Sequence, residues 1–411
     1  MAEQVALERA GRMGLGLRVR LSAMMFLQFM MFPVWFTTVI PYARTLTGGE
    51  SWAMALGMLM GFGMLASPIV GMFADRFVNA EKVLAASDFA YVAVMAGCFF
   101  VREPAALFVL LLLAAVLCMP AWALSASVAM ANTSTAEFPS VRVFGSLGWV
   151  CSAVFSLVGV KCFGLAAFDK SPWIFASGAF AGLLAGVVAL VQPPTPPAAK
   201  GQPMSVADAL GLRAFVLFRD RRFAAFTLVL SLSMIPFQWY MGYNALYLDE
   251  SGFKYLVVTQ NLGQLGELGF MLVVPLIVKR FGYRRAMVIG MAALALRYAF
   301  FSLSAATGCH VFDFGGILIH GLIFALLLIG AQMYVEDHAP AALRNQAQGM
   351  ILLLTTCLGA FASVFVFDLI LKANLLPDGH HAWLTPYLIA FGMSLAVAVA
   401  MALLPDDRRQ A

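Results

Sequence analysis

Long uninterrupted runs of apolar residues dominate the chain. Strands of a membrane barrel would alternate apolar and polar positions, with a turn about every 10 residues. These runs instead continue for about 20 residues, the length that an α-helix needs to cross a bilayer. The pattern therefore predicts an all-α membrane protein with twelve transmembrane helices. The predicted spans are 19–42, 51–73, 83–101, 104–131, 142–167, 172–191, 223–248, 254–278, 285–306, 313–336, 346–371 and 383–404.

Composition supports a surface that faces lipid. The 411 residues are 62% hydrophobic and only 11% charged, whereas a soluble domain carries about 25% charged residues. The net charge of +5 does not indicate a nucleic-acid partner, because no basic cluster is interleaved with aromatic residues outside the loops that flank the spans. The six cysteines are interpreted as small apolar residues, and His380 and His381 as surface residues of a loop. We therefore predict no cofactor and no metal site, and we expect a monomer in the lipid bilayer.

A proline-rich segment divides the spans into two groups of six. Residues 1–191 form a predicted N-terminal half, residues 192–222 a linker, and residues 223–411 a C-terminal half. The linker opens with "QPPTPP" and continues as a short amphipathic, basic helix from about Val206 to Arg219, which is expected to lie on the membrane surface.

The positions of the basic residues predict the orientation. Lys and Arg accumulate in cytoplasmic loops. If the N-terminus lies inside, most of the basic residues fall in inner segments, which predicts a cytoplasmic linker and cytoplasmic termini. The outer loops then hold only Arg44, Arg102, Lys161, Lys170, Lys254 and Lys372.

The two halves repeat a short motif. "GMFADRF" follows the second span and "PLIVKRF" follows the eighth, about half the chain later. A parallel repeat of two six-helix halves is the plan of the major facilitator fold, and "GMFADR" resembles a loop motif of that superfamily. The resemblance implies that Asp75 and Arg76 help to latch a gate. The alternative is a solvated turn that carries a positive-inside residue.

Ionisable residues inside spans are costly and are candidates for function. They are Asp88, Arg142, Glu267, Arg297 and Asp368. Asp88 and Asp368 lie near span ends, where they are expected to reach the membrane interface unless they have a function. Arg297 falls in a peripheral span, where pairing or capping of carbonyl groups is the expected role.

Glu267 lies in the middle of the eighth span, with Gln264 one turn away on the same face. Gly263, Gly266 and Gly269 would let another helix or a substrate approach closely. A carboxylate at this depth must carry a proton or face a buried cation. Arg142 is the expected cation, because the fifth and eighth spans face each other in this fold. The alternative for Arg142 is a side chain that extends from the helix start to the interface.

The seventh span is expected to be interrupted at Pro236 and Gly242, and the first span at Pro33. Amides and aromatic rings beside helix breaks are typical of a substrate site at the membrane midplane. They suit a neutral polar ring, such as a sugar or a nucleobase. The polar and aromatic residues beside the breaks are Gln238, Trp239, Tyr243 and Asn244 in the seventh span, and Gln28, Trp35, Thr37 and Thr38 in the first.

Several motifs, in order along nearly the whole chain, resemble the nucleoside:proton symporters of the major facilitator superfamily. They are "LQFMMFPVWFTT", "RVFGSLGW" (142–149), "GQLGELGF" (263–270), "ALRYAFF" and "ALRNQAQGM" (342–350). The resemblance implies a membrane transporter that moves nucleosides across the cytoplasmic (inner) membrane by alternating access, with a proton as the coupling ion. It also implies a nucleoside site that contains Arg142, Ser146, Trp149, Gln238, Gln264, Glu267 and Phe324. The asparagine that the family has in the seventh span is replaced by Met241, and Asn244 nearby is the candidate for its role.

The tenth span departs from the family pattern. The family carries a Phe-Asp pair there, and the Asp is linked to proton coupling, whereas this chain has Phe324 followed by Ala325. Glu267 is then the candidate proton carrier, and uncoupled transport is the alternative. A sugar or sugar-containing metabolite is the alternative substrate. A membrane enzyme and a sensor without transport activity are the other classes considered. Neither is favoured, because the spans hold no hydrolase or metalloprotease motif and the tails are short.

Overall fold

We describe a computed structural model of the chain. It describes residues 13–47, 52–134, 137–197, 200–201, 212–340 and 343–405. Within these residues, eleven helices are long and apolar enough to cross a membrane, and a bent pair, Leu256–Met271 and Val273–Phe281, raises the number to twelve. The all-α membrane architecture predicted from the apolar runs is confirmed.

The twelve membrane helices are numbered α1 to α12 in chain order. They are α1 (Leu15–Thr47), α2 (Ala55–Ala74), α3 (Ala80–Phe100), α4 (Pro104–Ala131), α5 (Phe138–Phe163), α6 (Trp173–Leu190), α7 (Arg221–Glu250), α8 (Leu256–Phe281), α9 (Tyr283–Thr307), α10 (Val311–His338), α11 (Gln346–Ala373) and α12 (Leu384–Leu403).

The helix breaks differ from the predicted ones. α1 is divided into Leu15–Met30, Pro33–Phe36 and Val39–Thr47, because proline lacks an N–H and its ring crowds the preceding turn. α7 is one continuous helix although it contains Pro236, so the predicted interruption of the seventh span is wrong. Packing against neighbouring helices lets a membrane helix tolerate an internal proline.

Other irregularities lie in the C-terminal half. α8 bends by 58° between Met271 and Val273. α10 and α11 contain π-helical segments, Ala325–Ile329 and Leu353–Leu358. Such segments interrupt the regular hydrogen-bond ladder and often occur at functional sites.

The helices pack as two bundles. In the N-terminal half, α1 packs on α5, α3 on α6, and α2 on α4; in the C-terminal half, α9 packs on α12, α7 on α11, and α8 on α10. The bundles meet where α5 contacts α8, α2 contacts α11, and α1 contacts α7. A site between α5 and α8 therefore lies on the boundary between the halves.

The linker is only partly described. Residues 202–211, and with them the first half of the predicted amphipathic helix, lie outside the described residues. The remainder forms a 3₁₀ helix, Leu212–Arg219, that packs beside the start of α11.

Candidate functional site

A hydrogen bond joins the two halves inside the membrane. Ser146 lies on α5 and Glu267 on α8, and both are buried. The Ser146 hydroxyl donates to Glu267 Oε1 at 3.2 Å. The sequence placed these residues on facing spans, and the structure brings them into direct contact.

Arg142 lies one turn before Ser146 on the same face of α5. Its guanidinium stacks over the Phe29 ring of α1, 4.3 Å from the ring centroid. Its Nη1 atom is buried and has no hydrogen-bond partner in the part of the chain that the structure describes. Arg142 and Glu267 are near enough for their charges to interact, but their charged groups form no ion pair in this structure. The Arg142 guanidinium therefore has N–H donors that are available to a ligand.

Gln264 extends this surface along α8. It is 5% exposed and lies one turn from Glu267 on the same face. Its amide makes no hydrogen bond with any residue that the structure describes. The Gln264 amide can therefore donate to and accept from a ligand or water.

Glycines bring α10 against α8 at this depth. A Cβ atom at Gly263 would lie 2.6 Å from the Ile317 carbonyl oxygen, and one at Gly321 would overlap the backbone of Gly266 and Glu267. The expected close approach at the α8 glycines therefore occurs at Gly263. α10 forms the back wall behind Glu267.

Three further predicted site residues lie on α5, α7 and α10. Gln238 of α7 donates through Nε2 to the Thr356 carbonyl oxygen at 3.3 Å, within the π-helical part of α11. The Trp149 ring packs against Trp122 in the N-terminal half, with 5.7 Å between centroids. Phe324 is partly buried and directly precedes the π-helical segment of α10.

Asn244 lies apart from the Ser146–Glu267 contact. It sits among aromatic rings in the interior of the C-terminal half, with Tyr240, Tyr298, Phe301 and Tyr387 around it. Both polar atoms of its amide are buried without a partner. The structure therefore does not group Asn244 with Arg142 and Glu267.

The end of the molecule that carries the predicted outer loops, named the outer end, is closed by a cluster around Glu250. Arg44, at the end of α1, forms an ion pair with Glu250, at the end of α7. Arg44 Nη2 also donates to the Gly379 carbonyl oxygen at 2.5 Å. On its own side, Glu250 accepts from the His381 backbone N–H at 3.0 Å and from Trp383 Nε1 at 2.6 Å. The interpretation of His381 as a surface residue is wrong, because it is 5% exposed.

A second group of contacts closes the same end beside α8. Lys170 Nζ lies 2.7 Å from Asp249 Oδ1. Asp169 Oδ2 accepts from the Leu256 backbone N–H at 2.8 Å, where α8 begins. Burial raises the pKa of the Asp169 carboxyl above its ordinary value, although the α8 backbone donors oppose this effect. All these contacts cross from the N-terminal to the C-terminal half.

The opposite end contains an inner cavity between α2 and α11. Its volume is about 400 Å³, and Ser67, Met72, Asp75, Arg76, Gln346 and Leu353 are among its lining residues. Asp75 is exposed at the end of α2, and Arg76 Nη1 donates to the Met72 carbonyl oxygen at 3.4 Å. The halves therefore meet tightly at the outer end and leave space at the other.

Comparison with known proteins agrees with this architecture. The sequence profile of the family described as "Nucleoside H+ symporter" matches residues 15–408. The chain belongs to this family.

Two relatives and a solved structure illustrate the similarity of the transporter to known proteins. It is 33% identical to YegT, a transporter of Escherichia coli (strain K12), over 85% of this chain and 83% of the relative. It is 29% identical to the xanthosine permease of the same organism, over 94% and 95%. The crystal structure of the nucleoside transporter NupG superposes with a TM-score of 0.83 at 25% identity and covers 94% of this chain and 98% of that one.

The sequence reasoning missed the residues that close the outer end of the transporter. In the sequence, Arg44 and Lys170 served only as topology markers, because their acidic partners are distant along the chain. Glu250 lies 206 residues after Arg44, and Asp249 lies 79 residues after Lys170. The sequence did contain one signal for this cluster, the two adjacent acidic residues Asp249 and Glu250 at the end of the seventh span.

The ionisable residues of the spans have specific environments. The expectation that Asp88 reaches the interface is wrong, because it is 1% exposed. Asp368 forms an ion pair with Lys372 at 2.7 Å, and the lysine is exposed. Arg297 Nε donates to the Gly316 carbonyl oxygen at 3.1 Å, at the end of a helical segment, which agrees with the expected capping role.

Proposed function

We propose that this transporter binds a nucleoside at Arg142, Ser146, Gln264 and Glu267 and carries it together with a proton. The observation that carries the proposal is the Ser146–Glu267 hydrogen bond, because it joins the two halves between a closed outer end and an inner cavity. A site that is shared between two halves is what alternating access requires, since each rearrangement changes the side from which the site is reached.

The chemistry of these side chains suits a nucleoside. A carboxylate accepts hydrogen bonds from ribose hydroxyls, and the Gln264 amide both donates to and accepts from the edge of a base. Arg142 adds planar donors, one of which lacks a partner. Trp149 offers a flat aromatic surface nearby. Substrate binding would replace the Ser146–Glu267 bond, so closure around the substrate and release of that bond are linked.

Glu267 is the proposed proton carrier within the site. As an anion it is favoured by Arg142 and by the Ser146 hydroxyl; as a neutral acid it can donate to the substrate. A change in the distance to Arg142 during rocking would therefore change its proton occupancy. The family carries an acidic residue in α10, where this chain has Ala325. Proton coupling then depends on carboxylates elsewhere in the chain.

The inner cavity is proposed to open to the cytoplasm, and both termini to lie there. The support is the distribution of basic residues, which favours the end that carries the linker. In this orientation the described state is closed to the outside and open towards the inside.

Transport by purified protein in proteoliposomes tests the proposal. Uptake of radiolabelled xanthosine, uridine, adenosine and xylose is measured with and without a pH gradient. We expect one or more nucleosides, and not xylose, to accumulate when the exterior is acidic. Glu267→Gln should lower this accumulation. The control Glu103→Gln removes an exposed carboxylate at the start of α4 and should leave the accumulation unchanged. Uptake of xylose alone would reject the nucleoside assignment. Equal accumulation by Glu267→Gln would reject Glu267 as the carrier.

A further inference from the structure

A second buried carboxyl group lies in the N-terminal half, away from the Ser146–Glu267 contact. Asp88 of α3 and Gln28 of α1 are 1% and 0% exposed. Gln28 Nε2 donates to Asp88 Oδ2 at 2.6 Å. The other oxygen of each group, Asp88 Oδ1 and Gln28 Oε1, is also buried and has no hydrogen-bond partner among the described residues.

Within the described residues, no basic side chain faces Asp88 from the helices packed around it. α1 contributes Gln28, α4 contributes Cys118, and α6 contributes Gly186, whose backbone lies against the Asp88 side chain. On α3 itself, Tyr91 is the neighbouring titratable group. An isolated carboxylate in such surroundings costs several kcal/mol. Among the described residues, Asp88 has no charged group to offset that cost.

Other carboxyl groups inside the spans differ from Asp88 in this respect. Glu267 has the Ser146 hydroxyl and the nearby charge of Arg142. Asp313 accepts from Tyr247 at 2.7 Å and contacts His310 at 2.9 Å. Asp368 pairs with Lys372. Asp88 is therefore the one of these four carboxyl groups that lacks a basic neighbour.

A proton would complete the Asp88–Gln28 pair. An ionised carboxylate only accepts hydrogen bonds, so the pair then holds two buried oxygens that need donors and have none. A protonated carboxyl gains one O–H donor, and Gln28 Oε1 is a free acceptor within the same pair. The arrangement thus matches a neutral acid beside an amide better than an anion beside an amide.

The pair is mechanically connected to the proposed substrate site. Phe29, next to Gln28, lies under the Arg142 guanidinium. It also stacks on Trp122, with 5.0 Å between centroids. Trp122 Nε1 in turn donates to the Gln28 carbonyl oxygen at 3.0 Å. One turn of α1 therefore contacts both Asp88 and Arg142.

We propose that Asp88 and Gln28 form a proton-binding site, and that this proton crosses the membrane together with the nucleoside. The proton bonds to the Asp88 carboxyl, arrives from water on one side and leaves to water on the other, and no other bond changes. The inference rests on the proposed function, proton-coupled nucleoside transport. It places a coupling proton in the N-terminal half. In α10 of the C-terminal half, Ala325 occupies the position where the family has an acidic residue.

The test uses the full chain in proteoliposomes, with Asp88→Asn and the matched control Asp368→Asn. With a pH difference of about one unit and no membrane potential, one coupled proton supports about tenfold accumulation and two support about a hundredfold. We expect Asp88→Asn to lower the steady accumulation of labelled nucleoside by about tenfold relative to wild type. Asp368→Asn should accumulate nucleoside like wild type, because its carboxylate already has Lys372.

The outcomes distinguish an error in the Asp88 assignment from an error in proton coupling itself. If wild type accumulates nucleoside and Asp88→Asn matches it, the Asp88 assignment is wrong while proton coupling stands. If wild type exchanges nucleosides but a pH gradient drives no accumulation, the coupling and the assignment both fail. Accumulation driven by a sodium gradient, and not by a pH gradient, would also overturn the assignment.

An infrared measurement decides the case in which Asp88→Asn does not fold. A protonated carboxyl has a carbonyl band separate from those of carboxylates and amides. We expect wild type to show this band, and we expect Gln28→Met to shift it to higher frequency, because the carbonyl loses its amide donor. A band that does not respond to Gln28→Met, or no band at neutral pH, would contradict the inference.

Discussion

Replacement of Arg44 by glutamine should open the outer end of the transporter. Arg44 and Glu250 belong to different halves and form an ion pair in the structure. Glu250 also accepts hydrogen bonds from His381 and Trp383, which belong to its own half. Arg44→Gln therefore removes the bond between the halves and leaves the C-terminal part of the cluster in place.

The exposure of the side chains sets the expected size of the effect. The side chains of Arg44 and Glu250 are 19% and 3% exposed, whereas those of Lys170 and Asp249 are 39% and 17% exposed. Loss of one partner of a buried, hydrogen-bonded charge pair costs about 2–5 kcal/mol. Because Glu250 keeps other donors, we expect about 2 kcal/mol, which is about a 30-fold change in the ratio of closed to open molecules. The surface pair contributes about 0–1 kcal/mol, so Lys170→Gln should change the ratio by about fivefold at most.

The native cysteines provide the assay. Cys162, at the outer end of α5, and Cys309, between α9 and α10, are exposed and belong to opposite halves. Nitroxide labels on these two residues report the separation of the halves by pulsed electron–electron double resonance. We expect wild type to show mainly the short distance. Arg44→Gln should populate a longer one, and the control Lys170→Gln should resemble wild type.

Two results would refute this reasoning. If Arg44→Gln leaves the distance distribution unchanged, the ion pair does not hold the outer end closed. If Lys170→Gln opens the molecule as much as Arg44→Gln, burial does not determine the strength of the outer contacts.

Three further predictions concern the substrate site and the loop beside α8. Gln264→Ala should weaken nucleoside binding to purified protein without lowering the melting temperature, and unchanged affinity would remove Gln264 from the site. Arg142→Gln and Glu267→Gln should each leave one buried charge without its neighbour, so the double variant should melt above either single variant, and strictly additive shifts would argue against the coupling. Because burial raises the pKa of Asp169, the folded protein holds this proton more tightly than the unfolded chain. The stability of wild type relative to Asp169→Asn, followed by thermal unfolding, should therefore increase as the pH falls from neutral, and a flat or opposite trend would contradict the assignment.

The helices were predictable from local sequence because each one depends on its own residues. A helix in lipid satisfies its backbone hydrogen bonds internally, and a run of about 20 apolar residues is both necessary and recognisable. Helix breaks were less predictable. Pro33 interrupts α1 whereas Pro236 does not interrupt α7, because neighbouring helices decide whether a freed backbone group finds a partner.

The candidate site was predicted in part. Ser146 and Glu267 meet as the order of spans and the family resemblance implied. Asn244 carries the expected amide, but α7 is oriented so that this side chain lies among aromatic rings in the interior of the C-terminal half. A sequence names the residues on a helix, whereas the face that each residue presents to the boundary between the halves depends on how the helix packs.

By itself, the sequence determined the number of spans, the division into halves and the residue types available for chemistry, because these depend on local apolar length and on motifs that lie close together in the chain. Only the tertiary structure decided which charges have partners. Asp88 and Glu267 both lie in apolar spans, yet Asp88 is buried beside Gln28 of α1, whereas Glu267 accepts a hydrogen bond from Ser146 of α5. The free energy of a charge inside a membrane protein depends on the groups within a few ångströms of it, and helices distant in sequence supply those groups.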